Sequence, residues 1–376
     1  MPPQLQPYGY IITLDGIASD EIPKISIPPQ FGPAEYIIAL DGMVNDEIPN
    51  ATNSSSSLPI RESSNGSMLV EVDTHDDNDF MDDGPEGSST FSVNSSQQYL
   101  FQKRHGRTYH AFSAHRDYLL PNDEPERDRM DMQFWAIIEV LGHRYFHAPI
   151  ADNPQDIIDI GTGTGMWAIE VAEQYPNASI IGTDLSPMQP TWVPPNVTFE
   201  LHDCLQYPWE FSRQFDLIHT QLLNGFAVKH WHEFYTECFR NLKPGGWVES
   251  HECDLMLYSD DNSIPNNSAV IRWLNLWDEG AGRGFRITGA ELGDIMGRVG
   301  FVDVVVKKTK IPIGVWDKTQ LNAGMLSLTA VTEHMEGLSV RVFMEKLGMT
   351  EEGMRRYTEP AVREWRSKNF HSYWDL

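Results

Sequence analysis

Cysteines, basic residues and long apolar runs are all scarce in this sequence. The 376 residues include three cysteines, Cys204, Cys238 and Cys253, and no two of them are spaced as C-x-x-C. Such a set argues against a disulfide framework or a structural zinc site and is typical of reduced thiols inside a cell. No segment approaches the roughly 20 apolar residues that a membrane-spanning helix needs, and the N-terminus lacks the pattern of a secretory signal. We therefore expect an intracellular protein, cytoplasmic or nuclear, without a membrane partner.

Positive charge is scarce as well. The chain carries 28 Lys and Arg against 54 Asp and Glu, which gives a formal net charge of −26. A surface this acidic repels phosphate backbones and argues against nucleic acid as a direct ligand. The first 100 residues hold 16 of the acidic side chains and 2 of the basic ones, so the acidity is concentrated towards the N-terminus.

Residues 1–97 have the composition of a disordered tail. Between positions 51 and 100 there are 12 serines and an acidic run at 71–79, and such a segment cannot bury enough apolar surface to offset its chain entropy. Within the tail, Tyr10–Pro23 recurs at Tyr36–Pro49 with 10 of 14 positions identical. The repeat could add a strand to a partner's sheet or be a duplication without a role. We favour the duplication, because two copies are too few for a repeat fold.

Residues 98–376 have the pattern of one α/β domain. Short apolar segments predict buried strands at Ile157–Ile160, Ser179–Thr183, Val197–Leu201, Phe215–His219 and Gly246–Glu252. Helices are predicted between them near Met166–Glu173 and Trp231–Leu242. Alternation of this kind predicts a parallel sheet with helices on both faces.

Additional elements are predicted before and after this core. A helix is expected over residues 122–142, with its N-cap at Asn122 or Asp123. A capping box from Thr288 to Glu291 begins another helix, which leads to a predicted strand at Val302–Lys307. The expected helical cap, or lid, consists of residues 98–145 and 316–370 around the core motifs at 156–255.

The turn after the first predicted strand is the most specific segment of the sequence. Residues 157–172 read IIDIGTGTGMWAIEVA, a strand followed by three alternating glycines and a helix. Glycines at this place let the backbone approach a ligand at a helix N-terminus. The pattern from Gly163 to Ala168 also fits the dinucleotide fingerprint G-x-G-x-x-A, and Asp184 at the next strand end suits the ribose of several ligands. The turn alone leaves a nicotinamide dinucleotide and S-adenosylmethionine open.

Four further features favour S-adenosylmethionine. Asp159 precedes the glycines, and the third strand ends in Leu201-His202-Asp203-Cys204. The fourth strand reads Phe215-Asp216-Leu217-Ile218-His219, and the fifth is entered through Leu242-Lys243-Pro244-Gly245-Gly246-Trp247. With these motifs in this order, the sequence resembles the class I S-adenosylmethionine-dependent methyltransferases.

The resemblance extends to the fungal LaeA-like (UMTA) methyltransferases across residues 100–376. The motifs that carry it are Gly106–His110, Tyr118–Glu124, Gly182–Pro190, Glu336–Ser339 and His371–Trp374. It implies a Rossmann-like sheet with a helical cap, S-adenosylmethionine as cofactor and a role in fungal secondary metabolism. Members of the family lie in natural-product gene clusters, and the best-known one is a nuclear regulator that joins velvet-domain proteins.

The same resemblance implies which residues bind the cofactor. The glycines would lie against its methionine part, Asp159 would orient the amino group, Asp184 would accept from both ribose hydroxyls, and Asp203 would contact adenine. The expected set is Asp159, Gly161, Thr162, Gly163, Gly165, Asp184, Leu185, Asp203, Cys204 and His219. No metal site is expected, because the segment Asp260–Asn262 fits a polar turn better than a set of Mg²⁺ ligands.

The implied reaction is an in-line displacement at an activated methyl group. The protein then mainly has to align a nucleophile and exclude water, and it needs a base only if the acceptor must lose a proton. Each candidate base also has a structural interpretation. The candidates are His219, His251, Glu252, His110 and Tyr109, the last two if the segment before the core folds over the site.

Two functions are therefore carried forward. The first is a methyltransferase that acts on a small-molecule natural product. The alternative is a regulator that works in a complex with velvet-type or other proteins, which the acidic, repeat-bearing tail would favour. Relatives continue past the His-x-Tyr stretch into a final antiparallel strand beside the fifth, and we expect that strand to be shortened or missing here because the chain stops at Leu376.

Overall fold

The computed structural model has two units, residues 1–87 and 88–376. It describes residues 11–13, 37–39, 91–92, 101–112, 118–282 and 287–376, the first three ranges as backbone only. In the first unit, strand β1 (Ile11–Thr13) pairs in parallel with strand β2 (Ile37–Ala39), with Ile11 opposite Ile37. These are equivalent positions of the two repeat copies, so the copies pair with each other in register. The disorder predicted for the rest of the tail lies outside the described residues.

A hairpin and a long helix come early in the second unit. The elements are strands β3 (Phe91–Ser92), β4 (Phe101–Arg104) and β5 (Arg107–His110) and helix α1 (Glu124–Val140). Asp123 is the N-cap of α1 and accepts a hydrogen bond from the backbone N–H of Glu126, which confirms the predicted helix and its cap. The guanidinium of Arg107 donates two hydrogen bonds of 2.6 Å to the Asp123 carboxylate and so ties the hairpin to the start of α1.

The central sheet positions the candidate site. Its remaining strands are β6 (Asp156–Ile160), β7 (Ser179–Asp184), β8 (Val197–Leu201), β9 (Phe215–Gln221) and β10 (Leu242–His251), joined in part by helices α2 (Met166–Gln174) and α3 (Trp231–Asn241). The spatial order is β10-β9-β6-β7-β8-β3; β3 is antiparallel to β8 and the other five strands are parallel. The consecutive residues Ile157 and Ile158 of β6 are both fully buried, as expected for a strand covered on both faces. The predicted Rossmann-like fold is confirmed.

The residues after the sheet build a helical cap with its own core. Its elements are α4 (Ala269–Gly280), α5 (Gly289–Val299), β11 (Lys310–Ile313), α6 (Leu321–Thr332), α7 (Met335–Ser339), a π-helix at Val340–Lys346, α8 (Glu351–Trp365) and β12 (Ser372–Asp375). Trp273, Trp277, Phe343 and Trp365 are among the buried residues of this core. The predicted helical character of residues 316–370 and the capping box at Thr288 are confirmed.

The predicted strand at Val302–Lys307 is wrong. Val302 and Val305 are 80% and 84% exposed, and the segment forms no ladder with a neighbouring strand. The strand comes later, as β11, and it pairs antiparallel with β12 in a separate two-stranded sheet. Alternating valines favour an extended backbone, but a strand also requires a hydrogen-bonding neighbour.

The final antiparallel strand was expected at the edge of the main sheet, beside β10. In the described part of the chain, β10 is the last strand on its side, and β12 lies beside β11 and not beside β10. No helix among the described residues is long and apolar enough to span a membrane.

Candidate active site

A cavity lies at the carboxyl ends of β6, β7 and β9, under the N-terminal part of the cap. Parallel strands of this fold place their ligand sites at this edge. Of the sequence-predicted cofactor residues, the cavity is lined by Asp159, Gly161, Thr162, Asp184, Leu185, Cys204 and His219. Tyr118 and Met130, which precede the sheet in the chain, also contribute to its wall.

The glycine turn uses most of its own backbone donors. The N–H groups of Gly161 and Thr162 both donate to the carbonyl of Thr183 at 2.8 Å. The N–H of Gly163 donates to Oδ2 of Asp184 at 2.9 Å. A dinucleotide pyrophosphate would need free N–H groups at such a turn. The geometry therefore argues against the dinucleotide interpretation of the fingerprint.

Asp184 presents a partly buried carboxylate to the cavity. Oδ1 accepts a 2.9 Å hydrogen bond from the N–H of Ser186, and Oδ2 accepts the one from Gly163. The backbone N–H of Leu185 also contributes a hydrogen bond to this carboxylate. Since each carboxylate oxygen has two lone pairs, the group can still accept from a neighbouring hydroxyl. Burial raises the pKa of Asp184 to about 6. A carboxyl pKa that is raised in this way is characteristic of functional sites.

A chain of hydrogen bonds runs from the cavity into β10. Oδ2 of Asp159 accepts from the Thr162 hydroxyl at 2.6 Å, and Oδ1 lies 2.7 Å from Nδ1 of His219. Nε2 of His219 is 3.3 Å from Nδ1 of His251, and Nε2 of His251 is 2.7 Å from Oε1 of Glu249. We call these four side chains, Asp159, His219, His251 and Glu249, the relay.

The relay ends in carboxylate oxygens, which are hydrogen-bond acceptors. Nδ1 of His219 and Nε2 of His251 each face one of these acceptors. Burial lowers the pKa of His219. Burial opposes ionisation of Glu249, but its hydrogen bond to His251 holds the Glu249 pKa at about 2.

His219 is therefore held on all sides. Both of its nitrogens are engaged in the relay, and its ring stacks on Trp167 with centroids 3.8 Å apart and planes at 1°. The side chain lines the cavity, as predicted for a cofactor-side residue. Its geometry is that of a group that positions Asp159, and its role as a base stays a prediction.

Glu249, His251 and His147 also form a compact cluster with metal-ligand chemistry. Their ligand atoms lie within 4.8 Å of one another. Glu249, however, already accepts hydrogen bonds from the backbone N–H groups of His147 and Ala148 at 2.8 and 2.6 Å and from His251 at 2.7 Å. These hydrogen bonds explain why Glu249 lies so close to His147 and His251.

Two side chains that sequence analysis missed have unused polar atoms in the cavity wall. Nδ1 of His202 and Oε1 of Gln221 are buried without a hydrogen-bond partner. Unsatisfied buried polar atoms are rare and mark a place where a ligand can bind. His202 follows the end of β8 and Gln221 is the last residue of β9. Their position at strand ends, close to the predicted Asp203 and His219, is the sequence signal that could have identified them.

Asp203 is buried but is not among the cavity-lining residues. Its Oδ1 accepts from the N–H of Leu205 at 3.0 Å, within its own turn. The neighbours His202 and Cys204 line the cavity in its place. The adenine contact predicted for Asp203 stays a prediction, and His202 is the better placed group.

Four of the candidate bases, Tyr109, His110, His251 and Glu252, are not among the residues that line the cavity, and His251 belongs to the relay. Tyr109 is buried against the guanidinium of Arg341, 5.0 Å from its ring, and His110 contacts the carbonyl of Phe112 at 2.7 Å. Glu252 accepts from Asn224 N–H and the Thr220 hydroxyl beneath the site. As bases they stay predictions without support from their placement.

A second cavity adjoins the first and is mostly apolar. The two share the wall residues Arg129, Gln133, Leu222 and Phe226. Beyond this junction the second cavity, here called the chamber, is lined by cap residues that include Trp273, Trp277, Trp365 and Trp374. The chamber therefore begins where the cofactor cavity ends.

Comparison with known proteins places the chain in a family. A methyltransferase-domain family model matches residues 131–306. Methyltransferase pytC of Aspergillus terreus is 32% identical over 302 residues, which are 77% of this chain and 90% of pytC. Secondary metabolism regulator LAE1 of Cochliobolus heterostrophus is 32% identical over 283 residues, 71% of this chain and 90% of LAE1. This chain belongs to the LaeA-like methyltransferase family.

Another relative in this family has a named activity on protein. Protein-methionine methyltransferase laeA of Emericella nidulans is 30% identical over 298 residues, 77% of this chain and 78% of laeA. As a LaeA-like methyltransferase, the chain is an enzyme that uses S-adenosylmethionine.

The cavity fits the cofactor of this family. S-adenosylmethionine carries an ammonium group, a sulfonium and two ribose hydroxyls, and the cavity offers the matching acceptors in Asp159, Asp184 and Oε1 of Gln221. Nδ1 of His202 is free to pair with the adenine. The observation that supports the fit is the pair of buried polar atoms without partners.

Proposed function

We propose that this enzyme methylates a small-molecule intermediate of fungal secondary metabolism. The observation that carries the proposal is the buried apolar chamber that adjoins the cofactor cavity. Small-molecule sites are concave and largely apolar with a few placed polar groups. A protein side chain would need an open groove for its backbone, whereas Trp273, Trp277 and Trp365 in the chamber wall are at most 8% exposed.

The residues of the site have separate tasks in this proposal. Asp184 holds the ribose hydroxyls and Asp159, fixed by His219 and Thr162, holds the amino group. S-adenosylmethionine supplies a methyl electrophile that is already activated. The protein then contributes alignment and a water-poor space, which account for most of the acceleration in such a transfer.

A regulatory function is the alternative. Relatives at about 30% identity are named secondary metabolism regulators, and one is named a protein-methionine methyltransferase. In this alternative the enzyme works in a complex with a velvet-type or other regulatory protein, and the acceptor is a protein methionine.

Label transfer separates the two functions. The full chain is incubated with S-adenosyl-[methyl-³H]methionine and an extract of the source organism from which the gene has been deleted. We expect tritium in the organic-solvent fraction. Tritium confined to acid-precipitated protein would contradict the proposal and support the alternative.

The matched control is Asp184→Ala. This variant lacks the carboxylate for the ribose and should lose label transfer to either fraction. Transfer at the wild-type rate by this variant would show that the labelled product arises elsewhere in the extract.

A further inference from the structure

The chamber has a chemistry that restricts the methyl acceptor. Its walls are dominated by buried indole rings, of which Trp273, Trp277 and Trp365 are 5%, 8% and 1% exposed. Flat, rigid aromatic walls pack best against a planar apolar ligand. Asp278 is an acidic residue of the chamber wall, and it has interactions of its own.

The indole N–H groups fall into two classes. Nε1 of Trp273 donates to the Ser339 hydroxyl at 2.8 Å, and Nε1 of Trp277 donates to the carbonyl of Leu338 at 2.9 Å. Nε1 of Trp365 and of Trp374 are buried without any partner. An indole nitrogen is a donor only, so each of these two needs an acceptor atom. Both residues line the chamber, where a bound ligand can supply such an acceptor.

The junction between the two cavities determines which group reacts. Arg129 is 6% exposed there, and its Nε and Nη2 donate to Oε1 of Glu126 at 3.0 and 2.9 Å. Its Nη1 donates to Oε1 of Gln133 at 2.9 Å. A guanidinium has five N–H groups, so Arg129 retains donors for an oxygen placed between the cavities.

The junction does not offer a base. The four residues that both cavities share are Arg129, Gln133, Leu222 and Phe226. Arg129 stays charged, and the other three side chains do not titrate. Cys253 of the chamber is no base either, since burial raises its pKa to about 12. None of the four shared side chains can take a proton, so the junction suits an acceptor that ionises before the transfer.

We infer that the acceptor is a planar, largely apolar molecule that is methylated on an acidic oxygen, a carboxyl, enol or phenol, held by Arg129. A second oxygen accepts from the N–H of Trp365 or Trp374. In the transfer, an electron pair of the ionised oxygen forms the new C–O bond, the S–CH₃ bond breaks, and its electrons stay on sulfur. The inference rests on the proposed function, because it assigns the acceptor of that same site.

Binding of two naphthalene probes to the full chain tests the inference. The probes are 2-naphthoate and 2-naphthylmethylammonium, titrated in the presence of saturating S-adenosylhomocysteine. We expect 2-naphthoate to bind at least tenfold more tightly than the cation. Equal or tighter binding of the cation would overturn the inference.

Removing the indole donors gives the matched comparison. Trp365→Phe and Trp374→Phe keep an aromatic ring and lose the N–H. At least one of them should weaken the binding of 6-hydroxy-2-naphthoate, whose second oxygen can accept that N–H, roughly five- to tenfold, as a lost hydrogen bond would. Trp192→Phe is the control, because Trp192 is 80% exposed and outside the chamber. If both chamber variants are folded and bind 6-hydroxy-2-naphthoate like the control, the inference is wrong.

Binding of S-adenosylhomocysteine alone separates the two proposals. If it binds and neither naphthalene does, the inference about the acceptor fails and the proposed function stands. If S-adenosylhomocysteine itself does not bind to the folded chain, both fail together.

Discussion

At the scale of single residues, Asp184 gives the site a defined pH dependence. Its pKa of about 6 means that the carboxyl gains a proton in the free protein as pH falls below 6, and a protonated carboxyl loses one of its acceptor sites. We expect the Kd of S-adenosylhomocysteine to rise about tenfold between pH 7 and pH 5. Asp184→Asn should bind weakly at both values and show no such rise. A wild-type Kd that is equal at pH 7 and pH 5 would contradict this role.

Glu252 makes a separate prediction about stability. Burial raises its pKa from 4.5 to about 8, so the folded state holds a proton that the unfolded state releases. The stabilisation is fully present below pH 4.5 and is lost as pH rises through 8, by at most about 1.4 kcal/mol per pH unit. Glu252→Gln cannot titrate, and its midpoint of thermal unfolding should fall less than that of the wild type between pH 5 and pH 9. Parallel profiles would rule the buried titration out.

Which site residues could be predicted depended on how local their signal was. Asp159 and Asp184 stand next to strand ends within motifs, and both line the cavity. Arg129 and Trp365 were given no role in the sequence analysis, since they reach the site only through the packing of α1 and α8. Asp203 accepts a hydrogen bond within its own turn, as strand-end aspartates often do, and its adenine contact stays a prediction.

At the scale of elements, the glycine turn depends on space as well as on backbone conformation. Gly165 has φ +84°, and a Cβ there would clash with the ring of Phe199. Gly245 has φ +82°, and a Cβ there would meet nothing within 4 Å. Gly245→Ala should therefore cost only the left-handed strain, about 1–2 kcal/mol.

Gly165→Ala should cost that strain and the clash together. We expect its urea midpoint to fall clearly below that of Gly245→Ala, and its affinity for S-adenosylhomocysteine to fall as well. Equal destabilisation by the two substitutions would mean that Phe199 moves aside at no cost and that the close approach is unimportant.

Elements were predictable where periodicity and caps agreed. The strands of the core and helix α1 with its Asp123 cap were confirmed, because local pattern and tertiary position favoured the same structure. The segment Val302–Lys307 was misassigned because its valines alternate without a strand beside them. The pairing of β11 with β12 joins residues about 60 positions apart, and no local pattern reports such a contact.

At the scale of the whole molecule, we predict that the N-terminal unit can be removed without loss of stability or ligand binding. The contacts divide the chain at Gly87, and β3 at residues 91–92 pairs with β8 of the main sheet. A chain that begins at Ser88 should therefore keep its thermal midpoint and bind S-adenosylhomocysteine within about twofold of the full chain. A chain that begins at residue 98 loses β3 and is the matched comparison. Loss of binding in the chain from Ser88 would show that the tail is part of the site.

The central claim is that the cavity at the strand ends binds S-adenosylmethionine through Asp184. The most direct measurement is isothermal titration of the full chain with S-adenosylmethionine, S-adenosylhomocysteine and NADH, together with the Asp184→Ala variant. The account predicts micromolar binding of both sulfur ligands, loss of that binding in the variant, and no binding of NADH. Binding of NADH, or undiminished binding of the sulfur ligands by the folded variant, would contradict it.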